Sequence, residues 1–185
     1  MAINISAICS ELRKTAYDSK KEFGGLSAEQ LNWKPSEKEW SVAQSFQHLI
    51  VTNELYFPNI QSAVDGRHRN NVYSKIPFVT DLISFAMKNS LNPKQSRKMK
   101  TFRMFQPSAS NLPVTIIDDY VTNQNKLIDL VEASRHLDIN RIKIAEPISP
   151  ALNLRLGNAF EILAMHGERH FLQAKRLLEM DGFPN

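Results

Sequence analysis

Apolar residues recur at helical spacing in four long stretches of this chain. In the first, Ile5, Ile8, Leu12 and Ala16 fall on one stripe, which predicts a helix from about Ile3 to Phe23, stopped by Gly24-Gly25. A short piece from Leu26 to Leu31 follows, in which Ser27 and Gln30 have the spacing of a capping box. Pro35 and the polar run Ser36-Glu37-Lys38-Glu39 then make a loop. The second long helix opens on another capping box, Ser41 with Gln44, and Trp40 stands just outside it. Its stripe is Val42, Phe46, Leu49, Asn53, Tyr56 and Ile60, broadened by Val51 and Leu55. Pro58 lies inside the pattern and should kink or end the helix there, with Asp65-Gly66-Arg67 as the latest stop.

Residues 68 to 112 are less regular. Pro77 to Leu91 has room for a short helix containing Phe78, Leu82, Phe85 and Ala86, and Pro93, Pro107 and Pro113 bound a long basic connection. The third long helix begins around Pro113 to Thr115, carries Ile116, Ile117, Tyr120, Leu127, Leu130 and Val131 on one face, and fades near Ser134. Pro147 and Pro150 mark a further loop. The fourth helix runs from about Leu156 to Met180 and stops at Asp181-Gly182. No alternating run long enough for a strand stands out, and neither repeats nor low-complexity segments are present. The pattern predicts an all-α fold over residues 1–185 as a single domain. Its architecture is a four-helix bundle with a short extra helix between the second and third long helices.

The stripe of the fourth helix carries the chemistry. Leu156, Phe160, Leu163, His166 or Gly167, His170, Ala174 and Leu177 follow one another on it. His166 and His170 are therefore one turn apart and face the core. Neutral imidazole is a common transition-metal ligand, and a histidine pair at this spacing is one of the simplest helical grips on a cation. A third ligand is needed if one position stays open. Bundles build metal sites from inward side chains on facing helices, and His48 lies among apolar neighbours in the second helix, so His48 with His166 and His170 is a reasonable set. His68 and His136 sit in polar surroundings at helix ends and read as solvated.

Each of these residues also has a plainer reading as a core or surface residue. Glu168 is two residues from His166 and points roughly 160–200° away from it, so it is not a general base and reads as a surface partner for a cation. Gly167 leaves room either above a metal or for close helix packing. Gln173, one turn beyond His170, is either a hydrogen-bonding support for a ligand or a histidine, or a polar residue at the bundle end.

Composition narrows the class. An apolar fraction of 42% with 23% charged residues excludes disorder. The single cysteine, Cys9, excludes an internal disulfide and fits a reducing compartment. The start of the chain has no basic region ahead of an apolar one, and no apolar run reaches the roughly 20 residues of a membrane span, so a cytoplasmic protein is expected. The net charge is +4, but Lys94, Arg97, Lys98, Lys100 and Arg103 hold five positive charges in ten residues, and without them the rest is nearly neutral. A phosphate-binding patch is one reading of 94–103; a solvated basic loop is preferred, since no nucleic-acid-binding motif accompanies it.

Three blocks of residues, in order, resemble the DinB-like superfamily: Trp40-Ser41-Val42-Ala43-Gln44, then His48-Leu49, then His166-Gly167-Glu168-Arg169-His170-Phe171-Leu172-Gln173. That superfamily contains helical-bundle metal-dependent proteins, including thiol S-transferases of the bacillithiol type. The resemblance implies a divalent metal, nickel or zinc, held by His48, His166 and His170, with an open coordination position and a homodimer. The superfamily name does not imply DNA binding. Two functions follow. One is a metal-dependent enzyme in which the cation makes a nucleophile of a low-molecular-weight thiol or of water, acting on a small-molecule substrate. The other is a non-catalytic ligand-binding or interaction module on the same bundle, suggested by the lack of an evident general acid or base beside the histidines.

Overall fold

The computed structural model of this chain describes residues 3–68, 79–91 and 101–185. Six helices and one hairpin follow in the order α1 (Ile5–Phe23), α2 (Ala28–Asn32), α3 (Val42–Val64), α4 (Val79–Leu91), α5 (Ile116–Ala133), β1 (Lys143–Glu146), β2 (Ser149–Arg155) and α6 (Leu156–Leu177). The helix starts are locally encoded. Asn4 caps α1 by accepting from the Ala7 N–H. Ser27 and Ser41 both form complete capping boxes, Ser27 with Gln30 and Ser41 with Gln44. No described helix is long and apolar enough to cross a membrane.

Three expectations need correction. The fold is predominantly helical but not all-α, because the loop expected around Pro147 and Pro150 is an antiparallel hairpin with Ile144 opposite Leu154. The second long helix does not end at Pro58. It runs through it to Val64, up to the latest expected stop at Asp65-Gly66-Arg67, with the proline on the exposed side of the helix, and Gly66 turns the chain at φ 68°. The last helix ends at Leu177, short of Met180. The short helix expected within Pro77–Leu91 forms as α4; Leu82 and Phe85 are exposed on it, and it packs through Ile83, Met87 and Leu91. Phe78 lies outside the described residues.

Helices α1 and α3 each pack against both α5 and α6. Two separate apolar clusters fill the interior. One takes Leu12 of α1, Tyr56 and Ile60 of α3, Leu127 of α5 and Phe160 of α6. The other takes Phe23, Phe46, Tyr120 and Leu177 from the same four helices. The order of these residues along each helix shows that α1 and α6 run one way and α3 and α5 the other. Two neighbouring helices of the same direction need a long crossover, and residues 65–115, with α4 inside them, supply it. The hairpin returns the chain from α5 to α6 at the first cluster, where it buries Ile144 and Leu154.

Between the two clusters every long helix turns polar while staying buried. The residues are Thr15 and Ser19 on α1, Thr52 and Asn53 on α3, Asn123 and Gln124 on α5, and His166 and His170 on α6. Asn53 Nδ2 donates to Asn123 Oδ1 at 2.9 Å and to Gln124 Oε1 at 3.3 Å. Tyr120 Oη and Gln124 Nε2 have no partner, and each such buried orphan costs about 1–3 kcal/mol. These polar residues form a layer across the bundle.

Gly167 belongs to this layer. A Cβ there would meet Tyr120 Oη at 3.6 Å, Gln124 Nε2 at 3.7 Å and Thr15 Cγ2 at 3.8 Å, all ordinary contacts. The glycine thus faces α1 and α5, which removes the reading of room above a metal, and the space left for a Cβ shows that close helix packing does not require a glycine here either. Gly167→Ala should stabilise the metal-free protein by about 0.4–1 kcal/mol, since nothing clashes and the unfolded chain loses freedom. Urea unfolding measures it; a lowered midpoint would mean that the gap is needed by the two orphaned groups.

Candidate metal centre

His48 sits in the second turn of α3, placed by the Ser41 capping box that fixes where the helix begins. His166 and His170 come from consecutive turns of α6, which packs on α3. All three are buried, at 5%, 8% and 7% exposure. Their rings form a nearly equilateral triangle: centroids are 4.8 Å apart for His48–His166 and 4.6 Å for the other two pairs, with planes crossing at 68–89°. One ring nitrogen from each lies within 4.8 Å of the others. His48 Nε2 and His166 Nε2 are 3.0 Å apart. A tetrahedral ion with metal–nitrogen bonds of about 2.0–2.1 Å holds its ligand nitrogens about 3.3 Å apart, so the triangle is close to the size such an ion needs.

The protons are also arranged for it. His48 Nδ1 lies 2.6 Å from the Phe105 carbonyl, which can only accept, so Nδ1 carries the ring proton and Nε2 presents its lone pair to the other two histidines. Burial lowers the pKa of His48, with the Phe105 hydrogen bond opposing it. Burial takes His166 and His170 well below the ordinary histidine value. The neighbouring histidines and Arg169 add to this, and a Gln173 hydrogen bond to His170 opposes it. The three rings are therefore neutral at physiological pH. His170 Nδ1 is buried without a hydrogen-bond partner. Three neutral imidazoles whose nitrogens converge, on rings of which one also keeps a buried nitrogen unpartnered, fit a divalent cation better than a self-sufficient hydrogen-bond network.

Trp40 closes one side of the site, 4.8 Å from the His48 ring and stacked on His170 at 5.9 Å and 26°. The segment around Phe105 closes another. It is strapped to α3 by the Phe105–His48 bond, by Gln47 with Ser108, and by Gln44 Nε2 donating to the Ala109 carbonyl.

A cavity of about 110 Å³ opens beside the histidines. His48, Thr52 and Tyr56 line it from successive turns of α3, and Ile162, Leu163 and His166 line it from α6. Met87 and Leu91 of α4 and Ile148 of the hairpin turn complete the wall, so the crossover segment does shape the pocket. Away from the histidines stands Glu146, buried at 3% exposure, whose Oε1 accepts from the Tyr56 hydroxyl. Its Oε2 has no partner. Burial raises its pKa, while the Tyr56 hydroxyl and the Ile148 backbone amide pull the other way.

Sequence reasoning missed Glu146 and the part Trp40 plays. Glu146 falls in what reads as a loop, and Trp40 reads as the flank of a helix start and part of a family-like block, with nothing to aim its ring at the histidines. Gln173 lies half-buried beside His170 and is not part of the cavity wall. Glu168 is exposed, as its position on the helix predicted, while Lys14 opposite it is paired with Asp18. His68 is half-buried and His136 exposed, and neither joins the cluster. Cys9 is buried and its thiol pushed up to about 11, first by burial and then by Glu132, so it is no activated nucleophile. Lys94, Arg97, Lys98 and Lys100 lie outside the described residues; Arg103 is exposed in a 3-10 turn.

A family model for the DinB superfamily matches residues 11–174, most of the chain and all three histidines. No curated protein and no solved structure matches it.

Proposed function

Because the chain belongs to the DinB superfamily, we propose that it is a metal-dependent enzyme on that family's four-helix bundle. In this reading His48, His166 and His170 hold a divalent cation, nickel or zinc, with one position left open. The observation that carries it is the triangle of buried, neutral imidazoles with its orphaned nitrogen. Such a cation supplies the Lewis acidity that makes a thiol or a water nucleophilic at neutral pH, so the reaction class is thiol S-transfer or hydrolysis. The chain's own residues do the rest. Phe105 fixes the His48 tautomer, Gln173 orients His170, and Trp40 and the strapped Phe105 segment keep water from the histidines. The cavity between the histidines and Glu146 holds the small-molecule substrate. The alternative, a non-catalytic module, keeps its argument that no general acid or base stands beside the histidines, because Glu146 lies at the far end of the cavity; metal binding without turnover would favour it.

Untagged protein incubated with nickel or zinc and then desalted should carry about one equivalent of metal. The loaded form should consume a low-molecular-weight thiol against an aryl halide, or hydrolyse an activated ester, and a folded His170→Ala variant should do neither. Less than about a tenth of an equivalent bound would end the proposal.

A further inference from the structure

The cavity contains an acceptor with nothing to accept. Glu146 Oε2 is buried and without a hydrogen-bond partner, in a wall otherwise made mainly of Met87, Leu91, Ile148, Ile162 and Leu163. The Tyr56 hydroxyl has a single proton and spends it on Oε1. Among the described residues no lysine or arginine lines the cavity. A buried carboxylate oxygen left this way is costly unless a donor reaches it. The hairpin that carries Glu146 is itself anchored: Ile144 and Leu154 are fully buried, and Asn59 Nδ2 of α3 donates to the Ala145 carbonyl at 3.0 Å. The carboxylate is therefore held at its post.

The distance to the histidines follows from the helix. Tyr56 is two turns beyond His48 on α3, about 12 Å along the axis, with Thr52 between them on the same face. On α6, Ile162 and Leu163 precede His166, and the two helices run oppositely, so apolar wall separates the carboxylate from the histidines. The volume, about 110 Å³, is below the roughly 150 Å³ of an apolar cavity that takes benzene.

We propose that this cavity binds a small molecule with a short apolar body and a hydrogen-bond donor headgroup, an amine or an alcohol. The headgroup sits on Glu146 Oε2, and the body lies along α3 toward the histidines. Glu146 is then the specificity-determining residue of the pocket. An acidic headgroup is rejected by like charge, and no lysine or arginine among the described lining residues offsets it. The inference rests on reading the histidines as the reaction centre, yet the pocket can be tested without metal.

The probes are n-butylamine, n-butanol and n-butyrate, titrated into chelator-stripped protein at about pH 8, where free imidazole is neutral. The readout is the methyl resonance of Met87, which lines the cavity. Butylamine should shift it saturably in the millimolar range, butanol more weakly, and butyrate not at all. Glu146→Gln, checked for folding by circular dichroism, should weaken butylamine about tenfold or more. Ile148→Trp, at the partly exposed edge of the cavity, should block both ligands and serves if the Gln variant does not fold. The inference is overturned by butyrate binding as well as butylamine, or by no saturable shift with either donor. A folded Glu146→Gln protein of unchanged affinity, or donor binding that Ile148→Trp leaves intact, overturns it too. Nickel titrated into the same samples separates the two readings: amine binding without nickel binding removes the metal centre and keeps the pocket, and the reverse result does the opposite.

Discussion

Alanine at His166 or His170 is expected to lower the affinity for nickel or zinc by about a thousandfold or more. Loss of a mere hydrogen-bonding support of a ligand typically costs 10–100-fold, and here a direct donor goes from a set of three. His48→Ala should do the same, since its Nε2 is the donor that the Phe105 carbonyl aims. Competition against a chromophoric chelator gives the constants. Trp40 offers a second view: its ring stacks on His170 and lies 4.8 Å from His48, whereas Trp33 packs against Phe183. Nickel should therefore quench the fluorescence of the native protein and barely alter that of Trp40→Phe. Stability should follow occupancy. Free metal at about 100 times its dissociation constant adds about 2.7 kcal/mol to the native protein and nothing to the alanine variants. Variants that bind and gain stability like the native chain would refute the three-histidine centre.

The second large effect is on acid stability. Metal-free protein should lose stability steeply as the pH falls below about 6.5, the value of a histidine in an unfolded chain. In the folded state burial holds the pKa of all three site histidines lower, that of His166 and His170 far lower. Between the folded and unfolded values the unfolded chain takes up protons that the folded one refuses. Stability is thus complete above about 6.5 and is lost as the pH drops through that window. Three histidines set an upper slope of about 4 kcal/mol per pH unit. Glu146 acts the other way, because its raised pKa lets the folded state bind a proton first, and it takes back part of that slope. Urea midpoints between about pH 7.5 and 5 measure the sum. A flat profile would mean that the rings are not held neutral, and the His48→Ala/His166→Ala/His170→Ala triple variant, which keeps Glu146, supplies the reference without the histidine loss.

Most of the helical frame was legible because each signal was local. Ser27-Gln30 and Ser41-Gln44 announce helix starts by side chains that reach only three residues, and the structure forms both boxes as read. The stripe Leu156, Phe160, Leu163, His166, His170, Ala174, Leu177 is buried throughout, so the inward aim of two histidines could be derived from 3.6-residue periodicity. The hairpin was hidden for a physical reason. Along β1 the inward positions are Ile144 and Glu146, and the carboxylate occupies the place where an apolar residue would have completed the alternation. The residue that breaks the pattern is the one that enters the pocket, so the strand and its chemistry were lost together. The α3–α5 direction was equally out of reach, because it depends on which apolar cluster each helix end joins. Pro58 misled for a simpler reason: on an exposed helix face its missing hydrogen bond falls to solvent.

The band of buried polar side chains that splits the interior has a mechanical meaning. Apolar burial glues the helices to one another on either side of the band and contributes least within it, so at the level of Asn53, Asn123 and Gln124 the helices share the least hydrophobic contact. His48, His166 and His170 lie at that level, on two helices. A cation held by all three works as a rivet. Such a cation would lock α3 to α6 where hydrophobic adhesion is thinnest, so parting of the two helices there and release of the ion would become one motion.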